Sequence, residues 1–524
     1  MRSISRWLAS FAAIGMLAVA PARAAWYEAK SKHFIIDANE NPNELRAYAE
    51  KLERFDQAVR YVRNMDDPNL TDSERVTIFV LVDADAVQQL IGFYGARGLY
   101  ITRADGSFAF VPQRSDYSVQ GAAEGIDHRQ EDLVPQAIFF HEYAHHLQLQ
   151  NATVVIPQWV SEGFAEFFAT ADIKKDGSVQ IGQFPAYRWF GVHQHDTLPI
   201  EQILGETYKD LDGAQMDTLY ARGWLLTHYL TMSDSRKGQL ARYVDEIQNG
   251  VSPLDSAKAA FGDLKQLDRD LDQYLAPHQL LGFTVSSQVI PIGNIAVRQL
   301  SPGEAAIMDV RIHSKRGVDT NTAPKIAEEA RGVAERYPND AAVEDALAEA
   351  EYDAKNYAAA NSAADRALVS SPKDVHALIF KGRAQMALAK AQPKTAKWDS
   401  VRQWFLDANR VDTENAEALE LYYLSYLEAG QRPTSNAVDA LLYAADLAPR
   451  DNEVRMNAVE ALLSENRLPD AKALLAPLAY APHQAAEVRD MTLKAMSAIA
   501  AGDGKSALQI LETPPKQAAK TASK

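Results

Sequence analysis

The chain has 524 residues, 47% hydrophobic and 24% charged, which gives enough length for two to four domains and enough apolar material for more than one core. It contains no cysteine, which excludes disulfides, thiolate metal sites and cysteine nucleophiles, so any metal must be held by histidine and carboxylate. A formal net charge of −16 argues against nucleic acid or an anionic membrane as a partner.

Residues 1–24 read as a secretory signal peptide. Arg2 and Arg6 form a basic start, Leu8 to Ala20 is an uncharged apolar run, and Ala22-Arg23-Ala24 places small residues where a signal peptidase cuts. Cleavage before Ala25 would deliver the mature chain to the periplasm or outside the cell. The run is too short to favour a membrane span, and no later segment is long enough for one, so no stable membrane insertion is expected.

The next region mixes strands and helices. His33 to Ile36 and Val76 to Leu81 are short β-branched runs, and Leu45, Tyr48, Leu52, Phe55, Val59 and Val62 recur at helical spacing between them. Leu99 to Ile101 and Phe108 to Val111 flank Asp105-Gly106, a hairpin turn signal.

From Asp132 to about Asn151 the pattern turns helical and carries His141-Glu142-Tyr143-Ala144-His145. Positions i and i+4 share a helix face, roughly 6 Å apart along the axis, so two imidazoles can reach one ion. Glu142 projects beside them, where it can hold a water on that ion and take its proton. Pro157 opens a second helix through Trp159 to Ala169. Glu162 stands seventeen positions after His145, and a helix–loop–helix of that length can fold it back to complete a His, His, Glu site with the fourth position open. Glu166, one turn on, is placed to accept a hydrogen bond from a ligand imidazole. His146 lies about 100° round the helix from His145 and should not reach the same ion. His193 and His195 alternate across a loop or strand and gain no role.

Further helical pattern covers Tyr220 to Leu230 and Lys237 to Asn249, and Gly282 to Ile312 reads as a small β segment or ordered linker. From Ala323 the chain is helical, alanine-rich and repetitive. Tyr337-Pro338-Asn339-Asp340 returns 34 positions later as Ser371-Pro372-Lys373-Asp374, and Ala448-Pro449-Arg450-Asp451 and Ala481-Pro482 follow. With Ala348, Tyr357, Ala360, Ala367 and Gly382 at matching places, the pattern resembles three to four degenerate tetratricopeptide units, with an insertion around Lys390 to Lys397. The polar, basic end should be disordered.

The pairing of HExxH with the downstream Glu-Gly-x-Ala-Glu on a Trp-containing helix resembles the gluzincin metallopeptidases of the peptidase-MA-like type, over roughly Trp26 to Tyr274. The resemblance implies that His141, His145 and Glu162 bind one Zn²⁺, that Glu142 is the general base and that Glu166 supports a ligand. It also implies a downstream Tyr or His that stabilises the oxyanion, with Tyr220 first and His228 second. The expected architecture is an α+β zincin-like catalytic domain over 25–280, a β-rich linker or small subdomain over 281–322, an all-α tetratricopeptide-like superhelical domain over 323–512, and a disordered tail over 513–524. The expected function is that of an exported zinc metallopeptidase whose repeats bind a protein substrate or partner. The alternative is an exported repeat scaffold whose metal domain has no significant peptidase activity.

Overall fold

The computed structural model describes residues 25–93, 98–113, 135–150, 155–208, 210–276, 280, 282–480 and 486–513. The expected signal peptide lies outside the described residues, as does the tail beyond Thr513.

The β-branched runs near the N-terminus build a mixed sheet. Its strands are β1 (Tyr27–Lys30), β2 (Phe34–Ala38), β3 (Val76–Leu81), β4 (Leu99–Arg103) and β5 (Gly106–Pro112). β2, β3 and β5 run parallel, and the hairpin expected around Asp105-Gly106 forms β4 and β5. A small second sheet follows from β6 (Asp172–Ile173), β7 (Val179–Ile181) and β8 (Phe283–Val285), and β9 (Ala296–Gln299) pairs with β1 at the far edge of the first sheet.

Strand alternation sends Ile78, Val80, Ala109 and Val111 to one face of the main sheet and Phe79, Phe108 and Phe110 to the other. Both faces are covered. α1 (Pro42–Arg63) packs on the first, and α2 (Ala84–Ile91) lies with the Phe79 cluster on the second. α3 (Pro135–Leu149), the HExxH helix, joins α1 through Phe140, whose ring stacks on Phe55 at 3.8 Å, while Phe34 of β2 sits 4.9 Å from Tyr143. Such aromatic pairs add roughly 0.5–1.5 kcal/mol beyond the area they bury.

α4 (Gln158–Ala169) lies across α3. After the short helices α5 (Trp189–His193) and α6 (Ile200–Gly205), α7 (Gly213–Met232) packs on α4 where Gly163 meets Gly223. A Cβ at Gly163 would fall inside the contact distance of the Gly223 carbonyl and the Thr227 hydroxyl, so glycine is what lets these helices touch. α8 (Gln239–Gln248), α9 (Pro253–Phe261) and α10 (Leu264–Leu275) follow.

The segment expected to be a β-rich linker over 281–322 has a different arrangement. β8 and β9 complete the two sheets of the N-terminal region, which therefore runs to Gln299 rather than 280. Its second half is α11 (Pro302–Arg316), opened by a capping box between Ser301 and Glu304 and packed on α2 through Met308 and Ile312.

Beyond it stand α12 (Ala323–Arg336), α13 (Ala341–Asp353), α14 (Tyr357–Ser370), α15 (Val375–Ala391), α16 (Trp398–Val411), α17 (Ala416–Glu428), α18 (Ser435–Leu447), α19 (Asn452–Ser464), α20 (Leu468–Leu475), α21 (Ala486–Ala500) and α22 (Gly504–Leu511). The recurring Asp of each Pro-containing turn is the N-cap of the next helix: Asp340, Asp374 and Asp451 accept from amides of α13, α15 and α19, and Asn415 does the same for α17. Small residues let neighbours close up. Ala360, Ala363, Ala364 and Ala367 are fully buried on α14, and Gly382 leaves room for the Phe405 ring. The C-terminal region is thus a helical-repeat scaffold of the tetratricopeptide-like kind, following an α+β portion. Among the described residues no helix is long and apolar enough to cross a membrane.

Candidate metal centre

His141 and His145 lie one turn apart on the buried face of α3, and α4 brings Glu162 against them. The His141 and His145 Nε2 atoms stand 3.2 Å apart, and each is 3.3 Å from Glu162 Oε2. Two donors at about 2.0–2.1 Å from a tetrahedral zinc are separated by about 3.3–3.4 Å. The three atoms therefore have the spacing of one face of such a site, and the donor set of two imidazoles and a carboxylate fits zinc.

The neighbours fix the imidazoles so that both Nε2 lone pairs point at that place. The Ser161 hydroxyl donates to Gln148 Oε1 at 2.9 Å, so its oxygen accepts from His145 Nδ1–H at 3.2 Å. His141 Nδ1 faces Glu166 Oε1 at 3.4 Å. Each ring thus carries a proton on Nδ1 and turns Nε2 to the Glu162 carboxylate, where a proton or a metal cation can sit. Glu166 is itself held on both oxygens. Tyr187 donates to Oε2 at 2.9 Å, and Arg188 donates to Oε1 from Nη2 at 2.7 Å and from Nε at 3.1 Å.

Charge in this pocket is strongly biased. Burial disfavours ionised Glu162, yet His145 and His141 outweigh it and hold the carboxyl well below its ordinary range. Burial also opposes ionised Glu166, but Arg188 and His141 pull it down to about 2. Burial alone would discharge His141, but Glu162 and Glu166 raise it to about 10. Burial keeps His145 below its usual value. Two ionised carboxylates thus face the two imidazoles in a buried site, which favours positive charge there.

Glu142 is half-buried on α3 beside the ligands. Tyr220 does not open a helix: α7 begins two turns earlier, with Asp212 and Gln215 forming its capping box. Tyr220 nevertheless reaches the site, its ring stacked on His141 at 5.7 Å with the Arg188 guanidinium 4.7 Å from the ring centroid. His228 is two turns further along α7 and away from the ligands. Its Nδ1 meets the Tyr274 hydroxyl at 2.9 Å and its Nε2 the Gly182 carbonyl at 3.0 Å, which removes it from the oxyanion role. His146 points aside, its ring stacked on Tyr143 at 5.3 Å, and burial holds it down to about 3. His193 is exposed and pairs with the Trp189 carbonyl, and the His195 side chain lies outside the described ones.

Tyr187, Arg188 and Ser161 are the participants that spacing did not reveal. Arg188 lies 22 positions beyond Glu166, past the β6–β7 hairpin, with no periodicity to connect them. A second convergence, His33 with Asp56 and Asp67, is a structural ion network. His33 Nδ1 meets Glu53 at 2.8 Å and its Nε2 meets Asp67 at 2.9 Å, so the ring is an imidazolium, while Arg60 and Lys32 neutralise the remaining carboxylates. Asp56 also accepts from the Tyr143 hydroxyl at 2.8 Å, tying α1 to the HExxH helix.

A family model described as a protein of unknown function (DUF1570) matches residues 137–255, a span holding His141, Glu142, His145, Glu162, Glu166 and Tyr220. No curated protein matches the chain. Among solved structures, pilF of Pseudomonas aeruginosa is 18% identical, with 40% of this chain and 88% of that one covered and a TM-score of 0.31. A thermophilic TPR protein of Thermus thermophilus is 18% identical, with 36% and 95% covered and a TM-score of 0.30. Yeast Tom70 is 12% identical, with 73% and 76% covered and a TM-score of 0.24. Scores this low carry no argument, and the repeats rest on the caps and packing described above.

Proposed function

We propose that this chain is an exported zinc-dependent hydrolase that cleaves peptide bonds. The observation that carries the reading is the triangle of His141 Nε2, His145 Nε2 and Glu162 Oε2, with sides of 3.2, 3.3 and 3.3 Å. When bound, zinc would supply Lewis acidity and lower the pKa of a coordinated water to about 7. Glu142, beside the two imidazoles, would serve as the general base that takes a proton from the attacking water and gives it to the leaving amine. Glu162 and the two imidazoles would hold the ion, Ser161 and Glu166 fix the imidazole rings, and Tyr220 would offer a hydroxyl to the developing oxyanion. The resemblance to gluzincins supports the same assignment. The test is metal analysis of the purified chain together with a broad peptide-cleavage screen. Zinc with cleavage supports the reading, and a metal-free, inactive chain opposes it.

A second reading is favoured by the extent of the helical repeats, which run from Ala323 to Leu511. In it the chain is an exported protein-binding scaffold and the metal region contributes fold or recognition alone. Repeat surfaces of this kind commonly hold a peptide or protein. Zinc bound at the triangle without any cleavage would favour it.

A further inference from the structure

The repeats do not stand apart from the metal region. α13, α15, α17 and α19 line a common cavity of about 670 Å³, and the tip of the β4–β5 hairpin forms another of its walls. There Ala104 N donates to Asp451 at 2.7 Å, Thr102 donates to the Arg450 carbonyl at 3.2 Å, and Asp105 pairs with Lys315, which also meets Glu349 of α13. The chain's own hairpin thus contacts the repeat face that would seat a partner.

From this scaffold one arginine reaches α3 directly, and a second reaches Glu206, the residue that caps α4. Arg450, in the turn between α18 and α19, points Nη1 at the Glu142 carbonyl of α3, 3.4 Å away, and lies 5.5 Å above the Tyr100 ring. Arg489 of α21 donates to the Glu206 carbonyl at 3.2 Å and stands 4.0 Å from its carboxylate. Glu206 in turn caps α4. The α4 N-cap is Pro157, which offers no side-chain acceptor, and the Trp159 amide donates instead to Glu206 Oε1 at 3.4 Å. Glu162 follows Trp159 by less than one turn.

We propose that the repeat array is an intramolecular clamp whose bound partner is this chain's own metal region, with Arg450 and Arg489 as positioning residues for α3 and α4. The metal role rests on the zinc reading above. The donors of α3 and α4 converge from two separate helices, and a metal constellation tolerates only about 0.5 Å of misplacement. Arg450 ties α3 to the scaffold directly and Arg489 ties α4 to it through Glu206, so together they set the separation of the two.

The test uses the full chain with Arg450→Ala, Arg489→Ala, and Arg366→Ala, whose ion pair with Glu344 lies within the repeats, as a control. Zinc affinity is read by competition with a chromophoric chelator, and hydrogen exchange is followed across α3 and α4. The clamp predicts zinc binding about tenfold weaker in each of the first two variants, the lower end for residues that orient metal ligands. It predicts faster exchange in α3 for Arg450→Ala and at the start of α4 for Arg489→Ala, with β2 and β3 unchanged. Arg366→Ala should match wild type, and Arg450→Lys, which keeps one donor, should recover most of the loss. Unchanged affinity and exchange in both alanine variants would overturn the proposal, as would uniformly faster exchange, which marks a general loss of stability. If the wild-type chain takes no zinc, the hydrolase reading falls while the exchange pattern still decides the clamp.

Discussion

Gly163 and Gly223 touch backbone to backbone where α4 crosses α7, and Glu162, the candidate third ligand, is the residue next to that contact. A methyl group at Gly163 would have to displace a helix backbone, not a flexible side chain. Gly163→Ala should therefore cost on the order of 3 kcal/mol in chemical denaturation, the upper range for overpacking a core, and should weaken zinc binding by moving Glu162. A variant as stable as wild type would show that α4 and α7 do not meet there.

The proposed base separates binding from chemistry. Glu142 is not one of the three converging donors, so Glu142→Gln should keep zinc and lose about 10²–10⁴-fold in turnover. Near-normal cleavage by the purified variant would assign proton transfer to another group.

Arg188 joins Glu166 to Tyr220, and its variants should affect both. Arg188→Lys loses the fork on Glu166 and should weaken zinc by about 10–100-fold. Tyr220→Phe should leave zinc unchanged and lower turnover by on the order of 10²-fold. Equal zinc loss in both would mean that Tyr220 supports the ligands and does not act on the oxyanion.

The His33 network gives a pH signature in stability. Burial opposes its charge, but Glu53 and Asp56 raise its pKa above the ordinary 6.5. A group whose folded pKa is raised contributes stability that is fully present below its unfolded pKa and is lost as pH rises through the folded value. The stability difference between wild type and His33→Gln should thus be largest below pH 6.5 and shrink as the pH is raised above it. A difference that grows toward alkaline pH would contradict an imidazolium at this position.

Much of this organisation was legible in the chain because it depends on local rules. The i, i+4 histidines, the Asp105-Gly106 turn and the recurring N-cap Asp of the repeats are set by neighbours in sequence. What was not legible depends on distant contacts. β9 is short and largely exposed, and only its pairing with β1, some 270 residues away, makes it a strand. Arg188 reaches Glu166 past the β6–β7 hairpin, and Glu206 caps α4 from the left-handed end of α6. The helical pattern from Tyr220 suggests a helix start there, but Asp212 and Gln215 form the capping box that begins α7 two turns earlier.

Zinc binding by the full chain and by Glu162→Ala, measured by chelator competition with X-ray absorption at the zinc edge, tests the central claim most directly. The account predicts one zinc per wild-type chain, held by nitrogen and oxygen donors at about 2.0–2.2 Å with no sulfur, and a severe loss of affinity in the variant. A wild-type chain that takes up no zinc, or a Glu162→Ala variant that binds it as tightly, would contradict it.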